Sequence, residues 1–254
     1  MAVIALASAS GSPGVTTTAV GLSLLWPRPV VLVDADPTGG SGILAGYFRG
    51  TTEYEAGLVE LALSPADVAD ALRDVVRPFE GSKASYVAGT RSHAQAAGLR
   101  DLWPRLADAL AGLDELGQDV IVDAGRLGLA GSPEPVLGSA DLTVLLTRTT
   151  LPALAAARPR ADTIRRNHEW SSPSVVLVGE GQPYRSHEVG KALDLPVIAA
   201  VADDPDAAAV FSRGVTPRKT FDSGSLVRSL HSVIAACQAQ AVRGRLALQS
   251  GATR

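Results

Sequence analysis

Lysine is the scarcest charged residue of this chain. Only Lys83, Lys191 and Lys219 occur in its 254 residues, and the first fifty contain no basic side chains except Arg28 and Arg49. Any anion site near the N-terminus must therefore do without a local ammonium group. Cysteine is rarer still: Cys237 stands alone, which excludes a disulfide framework and suits a reducing compartment. No uninterrupted apolar run reaches the length needed to span a bilayer. The apolar start, 1–9, is too short and lacks the basic residues expected of a secretory signal. A net charge of -3 supplies no global field to draw the chain to nucleic acid or a membrane. His93, His168, His187 and His231 are scattered without metal-ligand spacing. These absences lead to the expectation of a cytoplasmic protein.

The N-terminal forty residues carry the strongest pattern. An apolar strand over 2–7 leads into a loop of small residues, Ser8 to Gly14, and Val15-Thr16-Thr17-Thr18 opens a helix that ends near Trp26-Pro27. A second apolar strand, Val30 to Val33, runs into Asp34-Ala35-Asp36-Pro37. Strand, small-residue loop, helix, strand and acidic end is the layout of a P-loop nucleotide site. Such a loop converges backbone N–H groups on a polyphosphate, and the helix start that follows favours an anion. Gly11 and Gly14 give the loop its conformational tolerance, and a threonine hydroxyl at 16 or 17 suits Mg²⁺. Against G-x-x-x-x-G-K-[ST], however, the fixed positions read Ala9, Gly14, Val15 and Thr16. The lysine that would reach the β- and γ-phosphates is Val15. On the loop alone, a ligand-free strand–turn–helix corner explains the pattern as well.

Further along, apolar strands alternate with helical periodicity. Helices are expected over 55–63, from a Ser64 N-cap with Pro65 at the first position, over 92–116 with a break at Pro104, and over 133–139, 151–166, 186–193, 206–213 and 224–245. Strands are expected at 86–88, 119–123, 141–147, 175–178 and 196–201. The run Asp119-Val120-Ile121-Val122-Asp123 is that of a strand buried on both faces. The fold class is α/β: a mostly parallel, doubly wound, P-loop NTPase-type sheet with helices on both faces. Residues 1–245 form one domain, and 246–254 are expected to be a frayed tail.

With 11–18, 34–40 and 119–125 in hand, the chain resembles the ParA/MinD family of deviant P-loop ATPases, in particular its MinD-like and CpaE-like members. Val30 to Pro37 is similar to that family's second strand and first switch, and Asp119 to Asp123 to its Walker B strand. Ser139 to Thr147 resembles the next core strand, and 195–204 the late strand and adenine-side loop. The family's loop reads K-G-G-x-G-K-[ST]. Here the same positions are Ser10, Gly11, Ser12, Pro13, Gly14, Val15 and Thr16, so both lysines are absent. The adenine-side Asn is also missing, with Gly179-Glu180 in its place.

The resemblance implies Gly11, Ser12, Gly14, Val15, Thr16 and Thr17 as nucleotide-binding positions. It implies Thr16, Asp34, Asp36 and Asp123 around Mg²⁺, and Asp36 as the catalytic or switch carboxylate of an active protein. A plainer reading makes these acids strand-end carboxylates that cap loops. ATP or ADP with Mg²⁺ is then expected to bind weakly or not at all, because losing charge-assisted phosphate contacts costs a few kcal/mol. The implied function is a pseudo-ATPase, a scaffold or regulator in positioning, partition, or secretion or pilus assembly. It would act as a homodimer with a protein partner. The alternatives are an ATPase whose cation comes from Arg28, Arg49, Arg91 or a partner, and a nucleotide-independent binder of DNA or a membrane surface. The last draws on Arg158, Arg160, Arg165 and Arg166 and on the mixed basic and apolar end of the chain, and would place the protein peripherally on membrane or nucleoid.

Overall fold

A computed structural model describes residues 2–10, 12–113 and 117–251, with the backbone alone over 245–251. Its centre is a single eight-stranded sheet in the order β3-β4-β2-β5-β1-β6-β7-β8. The strands are β1 (Val3–Ser8), β2 (Val30–Asp34), β3 (Val76–Pro78), β4 (Ala84–Val87), β5 (Asp119–Arg126), β6 (Leu142–Arg148), β7 (Pro173–Val178) and β8 (Val197–Val201). All neighbours run parallel except β3, which pairs antiparallel with β4 at one edge.

The period-2 geometry of a strand explains why the central segments are apolar throughout. In β1, Ala5 and Ala7 face one core and Ile4 and Leu6 the other. The same division places Val31 and Val33 of β2 opposite Val30 and Leu32, and Val120 and Val122 of β5 opposite Ile121. The first core is closed by α2 (Leu58–Leu63), α3 (Val68–Val75), α5 (Leu102–Gly112), α6 (Glu134–Ser139), α7 (Leu151–Asn167) and α8 (Ser186–Leu193). The second is closed by α1 (Val15–Leu25), a π-helix over Gly42–Tyr47, α9 (Pro205–Arg213) and α10 (Ser225–Gly251). The doubly wound α/β architecture expected from the sequence is the one observed.

Three local expectations are corrected. The helix after residue 64 is capped by Asp67, whose carboxylate accepts from the Ala69 N–H at 2.9 Å, and it begins where Val68 first enters the core. Val76 leaves that helix to start β3, a three-residue edge strand too short for a visible alternation. The break expected at Pro104 falls earlier, between α4 (His93–Ala97) and α5. Pro104 sits in the first turn of α5, where its missing N–H has no intrahelical partner to lose. The expected positions 114–116 lie outside the described residues. The π-helix has no counterpart in the sequence reading, and α10 continues as helix to Gly251.

At the N-terminal edge of the sheet, buried Asp119 accepts from the Ala2 N–H at 2.7 Å and the Trp26 indole at 2.7 Å, and pairs with Arg28 at 2.8 Å. This network ties β1, α1 and β5 together at the end opposite the small-residue loop. It also commits Arg28 there.

Candidate functional site

The loop of residues 9–14 leaves the C-terminal end of β1, the strand at which the winding reverses between β5 and β6. That crevice is where open α/β sheets accept ligands. Gly14 takes φ +97° and Ser12 φ +53°, so the chain turns sharply into α1 through two left-handed positions. Gly14 is the N-cap, no side chain caps the helix, and its first turn has no acidic residue. The first N–H groups of α1 therefore lack intrahelical acceptors at the mouth of the loop. Gly11 lies outside the described residues.

Val15 is more than an absent lysine. Its side chain is 6 % exposed and belongs to the apolar core beneath the loop, alongside Leu6 and Val20. Thr16 turns the other way, toward the acids. Asp34 and Asp123 are register partners at the ends of β2 and β5. Both are buried, Asp123 completely. Asp34 accepts from the Ser41 hydroxyl at 2.7 Å, and Asp123 Oδ1 from the Gly125 N–H at 3.0 Å. Asp36 accepts from the N–H and hydroxyl of Thr38 at 2.9 and 2.8 Å, and its carboxylate occupies the space a Cβ on Gly125 would need, with Cγ at 2.2 Å. Gly125 also holds φ +59°, so two constraints fix that position as glycine.

Burial and mutual repulsion govern the protons of these acids. Desolvation, opposed in part by Ser41, raises Asp34 to about 6. Desolvation and the neighbouring Asp34 charge raise Asp123 to about 8, with Thr16 acting in the opposite direction. Asp123 Oδ2 nonetheless has no partner at hydrogen-bond geometry. Among the described residues no group of three or more His, Cys, Asp or Glu side chains forms a metal cage. Magnesium, however, is commonly held by one or two protein oxygens plus phosphate and water. Thr16 and the unpartnered Asp123 oxygen suit that role, and Mg²⁺ bound there would neutralise phosphate charge.

Ser12, Gly14 and Thr17 face a different space. With Pro13 and Thr18 they line a cavity of about 260 Å³ whose far walls are Val178, Val201, Phe211 and Leu230. The basic residue in this wall is Arg148, at the end of β6, bound to Asp203 at 2.7 Å. Arg148 belongs to no motif of the sequence. Only the strand order places the end of β6 beside the loop, although its position at the close of an apolar strand was visible. The arginines expected as substitutes are elsewhere. Arg28 is held at the opposite edge, Arg91 stacks on Tyr54 at 4.2 Å, and Arg49 packs near Gly214 at the end of α9.

The remaining candidates divide similarly. The α7 arginines do not form one free basic face: Arg165 pairs with Asp194, and Arg160 packs over Gly128 near Glu134. Burial pushes the Cys237 thiol up to about 12, which removes it as a nucleophile at neutral pH. No helix among the described residues is long and apolar enough to cross a membrane.

With this geometry established, comparison with solved structures is informative. The septum site-determining protein MinD of Pyrococcus horikoshii, complexed with Mg-ADP, superposes with a TM-score of 0.70 at 15% identity, covering 91% of this chain and 93% of that one. The chain shares the fold of the MinD and ParA ATPases. A ParA family ATPase from Chlorobium tepidum matches with a TM-score of 0.70 at 17% identity, covering 92% and 98%. MinD in a MinC:MinD cell division complex from Aquifex aeolicus gives 0.71 at 12% identity, covering 94% and 96%. No protein-family model matches the chain, and no curated protein sequence does.

Proposed function

We propose that this protein is a MinD/ParA-like pseudo-ATPase: a weak nucleotide binder that works as a scaffold or regulator through a protein partner. The observation that carries this reading is Val15, buried in the apolar core where the phosphate lysine of such loops stands. Hydrolysis develops charge on the transferred phosphoryl group, and removing a principal stabiliser of that charge costs about two orders of magnitude or more in rate. The loop, the Thr16–Asp123 pair and the Asp36 loop retain the shape of a nucleotide-responsive device without either lysine of the family's loop. Support for a protein partner and a dimer comes from the shared fold, one example of which is a MinC:MinD complex.

A second reading, an ATPase with a substitute cation, is favoured by Arg148 beside the loop. Calorimetric titration with ATP and Mg²⁺, followed by a phosphate-release assay, separates the two. The pseudo-ATPase reading expects binding weaker than micromolar and no phosphate release above background. Submicromolar binding with steady release would sink it. Val15→Lys supplies a sharper check: a long side chain can carry its ammonium out of the core, and nucleotide affinity should rise. An unchanged affinity in a folded Val15→Lys protein would count against the loop as a phosphate cradle.

A further inference from the structure

We propose that Arg148 is the positive charge of this loop, a cation supplied from β6 in place of the missing lysine at position 15. The inference rests on the reading of the loop as a polyphosphate cradle and names the residue that holds the anion there.

The geometry comes from strand order. β6 lies directly beside β1, with Leu146 the register partner of Ser8, so Arg148 stands level with the start of the loop. Its side chain and Ser12, Pro13 and Gly14 line the same cavity. The guanidinium is held toward this space by Asp203, with Nη1 at 2.7 Å and Nη2 at 3.3 Å from the carboxylate. Five N–H groups are available on a guanidinium, and this pairing uses two. The remaining N–H groups belong to a side chain 42% exposed, so they are open to an incoming ligand. Asp203 therefore restrains the side chain without exhausting its donors, and a restrained planar fork loses little entropy on binding phosphate.

The wall carries one cation and two acids, Arg148 against Asp203 and Asp204, so attraction for phosphate must come from the guanidinium N–H groups left free by Asp203 and from the backbone of the loop. Asp204, the other acid in the wall, is occupied as the N-cap of α9, accepting from the Ala207 N–H at 3.0 Å. Asp203 and Arg148 offset each other's charge, so Arg148 acts on a ligand through its remaining N–H groups. The backbone of the loop and the uncapped start of α1 then present positive potential to the space Arg148 borders. A lysine at position 15 would approach phosphate from within the helix. Arg148 approaches from the neighbouring strand.

The test uses three probes on the full chain by calorimetry: tripolyphosphate, ATP and adenosine, the first two with Mg²⁺. Arg148→Ala should weaken tripolyphosphate and ATP by about tenfold or more and leave adenosine unchanged. Arg148→Lys should recover part of that loss. Thermal melts of each variant confirm that the fold persists. The Arg148→Ala/Asp203→Ala double variant distinguishes contact from shielding, because it removes both charges at once. Continued weak binding by the double variant supports direct contact, whereas recovery to wild-type affinity shows that Arg148 only masks Asp203 and overturns the proposal. Wild-type binding that Arg148→Ala leaves intact, or an equal loss for adenosine, also overturns it while the cradle reading stands. If wild-type protein binds neither tripolyphosphate nor ATP, the cradle reading and this assignment fall together.

Discussion

At position 15 a single side chain redirects the chemistry of the loop. Valine there joins the core beneath α1, where a lysine would project its charge toward phosphate. Asp34 and Asp123, ordinarily near 3.8, are raised to about 6 and about 8, so the folded protein retains protons that the unfolded chain has released. The associated stability is complete below about pH 4 and is lost as the pH rises through these two values. Urea midpoints should accordingly decrease as the pH rises from about 4 to about 8, and Asp123→Asn should flatten that decrease. A wild-type midpoint that is constant across this window would contradict the assignment. Gly125→Ala is expected to destabilise by about 1–3 kcal/mol, because its Cβ meets the Asp36 carboxylate at positive φ. Equilibrium denaturation measures that loss directly.

Among the elements, the π-helix and α1 are the ones whose packing reaches the site. Ser41 begins the π-helix at φ +36°, donates to Asp34 and accepts from the Leu44 N–H at 3.3 Å. Two glycines let this element sit close: a Cβ on Gly42 would meet Thr16 at 2.8 Å, and one on Gly46 the Ser212 carbonyl at 2.6 Å. Ser41→Ala removes a buried hydrogen bond and a cap together, and should lower stability by about 1–2 kcal/mol. A change below about 0.3 kcal/mol in denaturant titrations would show that the contact contributes little. In α1, Gly21 faces Leu230 of α10 and Phe211 of α9, at 2.9 and 3.2 Å from a built Cβ. Gly21→Val should cost about 2–4 kcal/mol by overpacking three helices at once. Native-like stability of that variant would mean that α9 and α10 yield readily. The sheet covers α1 on one side and α9 and α10 cover it on the other, so it has little polar face, and the sequence marks it by the small-residue loop before it and Trp26-Pro27 after it.

For the whole molecule, the alternation of apolar strands and helices marks a mostly parallel, doubly wound sheet in the sequence, whereas the strand order comes only from the fold. The sheet's interior needs residues buried on both faces, which leaves continuous Val, Ile and Leu runs that composition alone exposes. The site was legible only in part. Thr16, Asp34, Asp36 and Asp123 were read from motifs, and the fold gathers them at adjacent strand ends. Asp203 falls in the segment that resembles the adenine-side loop, but Arg148 belongs to no motif, and the two, 55 residues apart, join only when β6, β7 and β8 pair. At this scale Val15→Lys should tighten ATP binding and, if the proposed dimer forms around nucleotide, raise the sedimentation coefficient with ATP. Sedimentation velocity with and without ATP would show it. An unchanged monomer that binds ATP tightly would separate nucleotide binding from assembly.

The sequence by itself determined the layering, the buried strands and the loss of both lysines, since burial and charge are properties each residue carries in its type. Which charge stands beside the loop, which acids repel one another and why Gly125 cannot bear a side chain were decided only by the tertiary structure. Those properties depend on distances between segments far apart in the chain, and pairing the strands is what sets those distances.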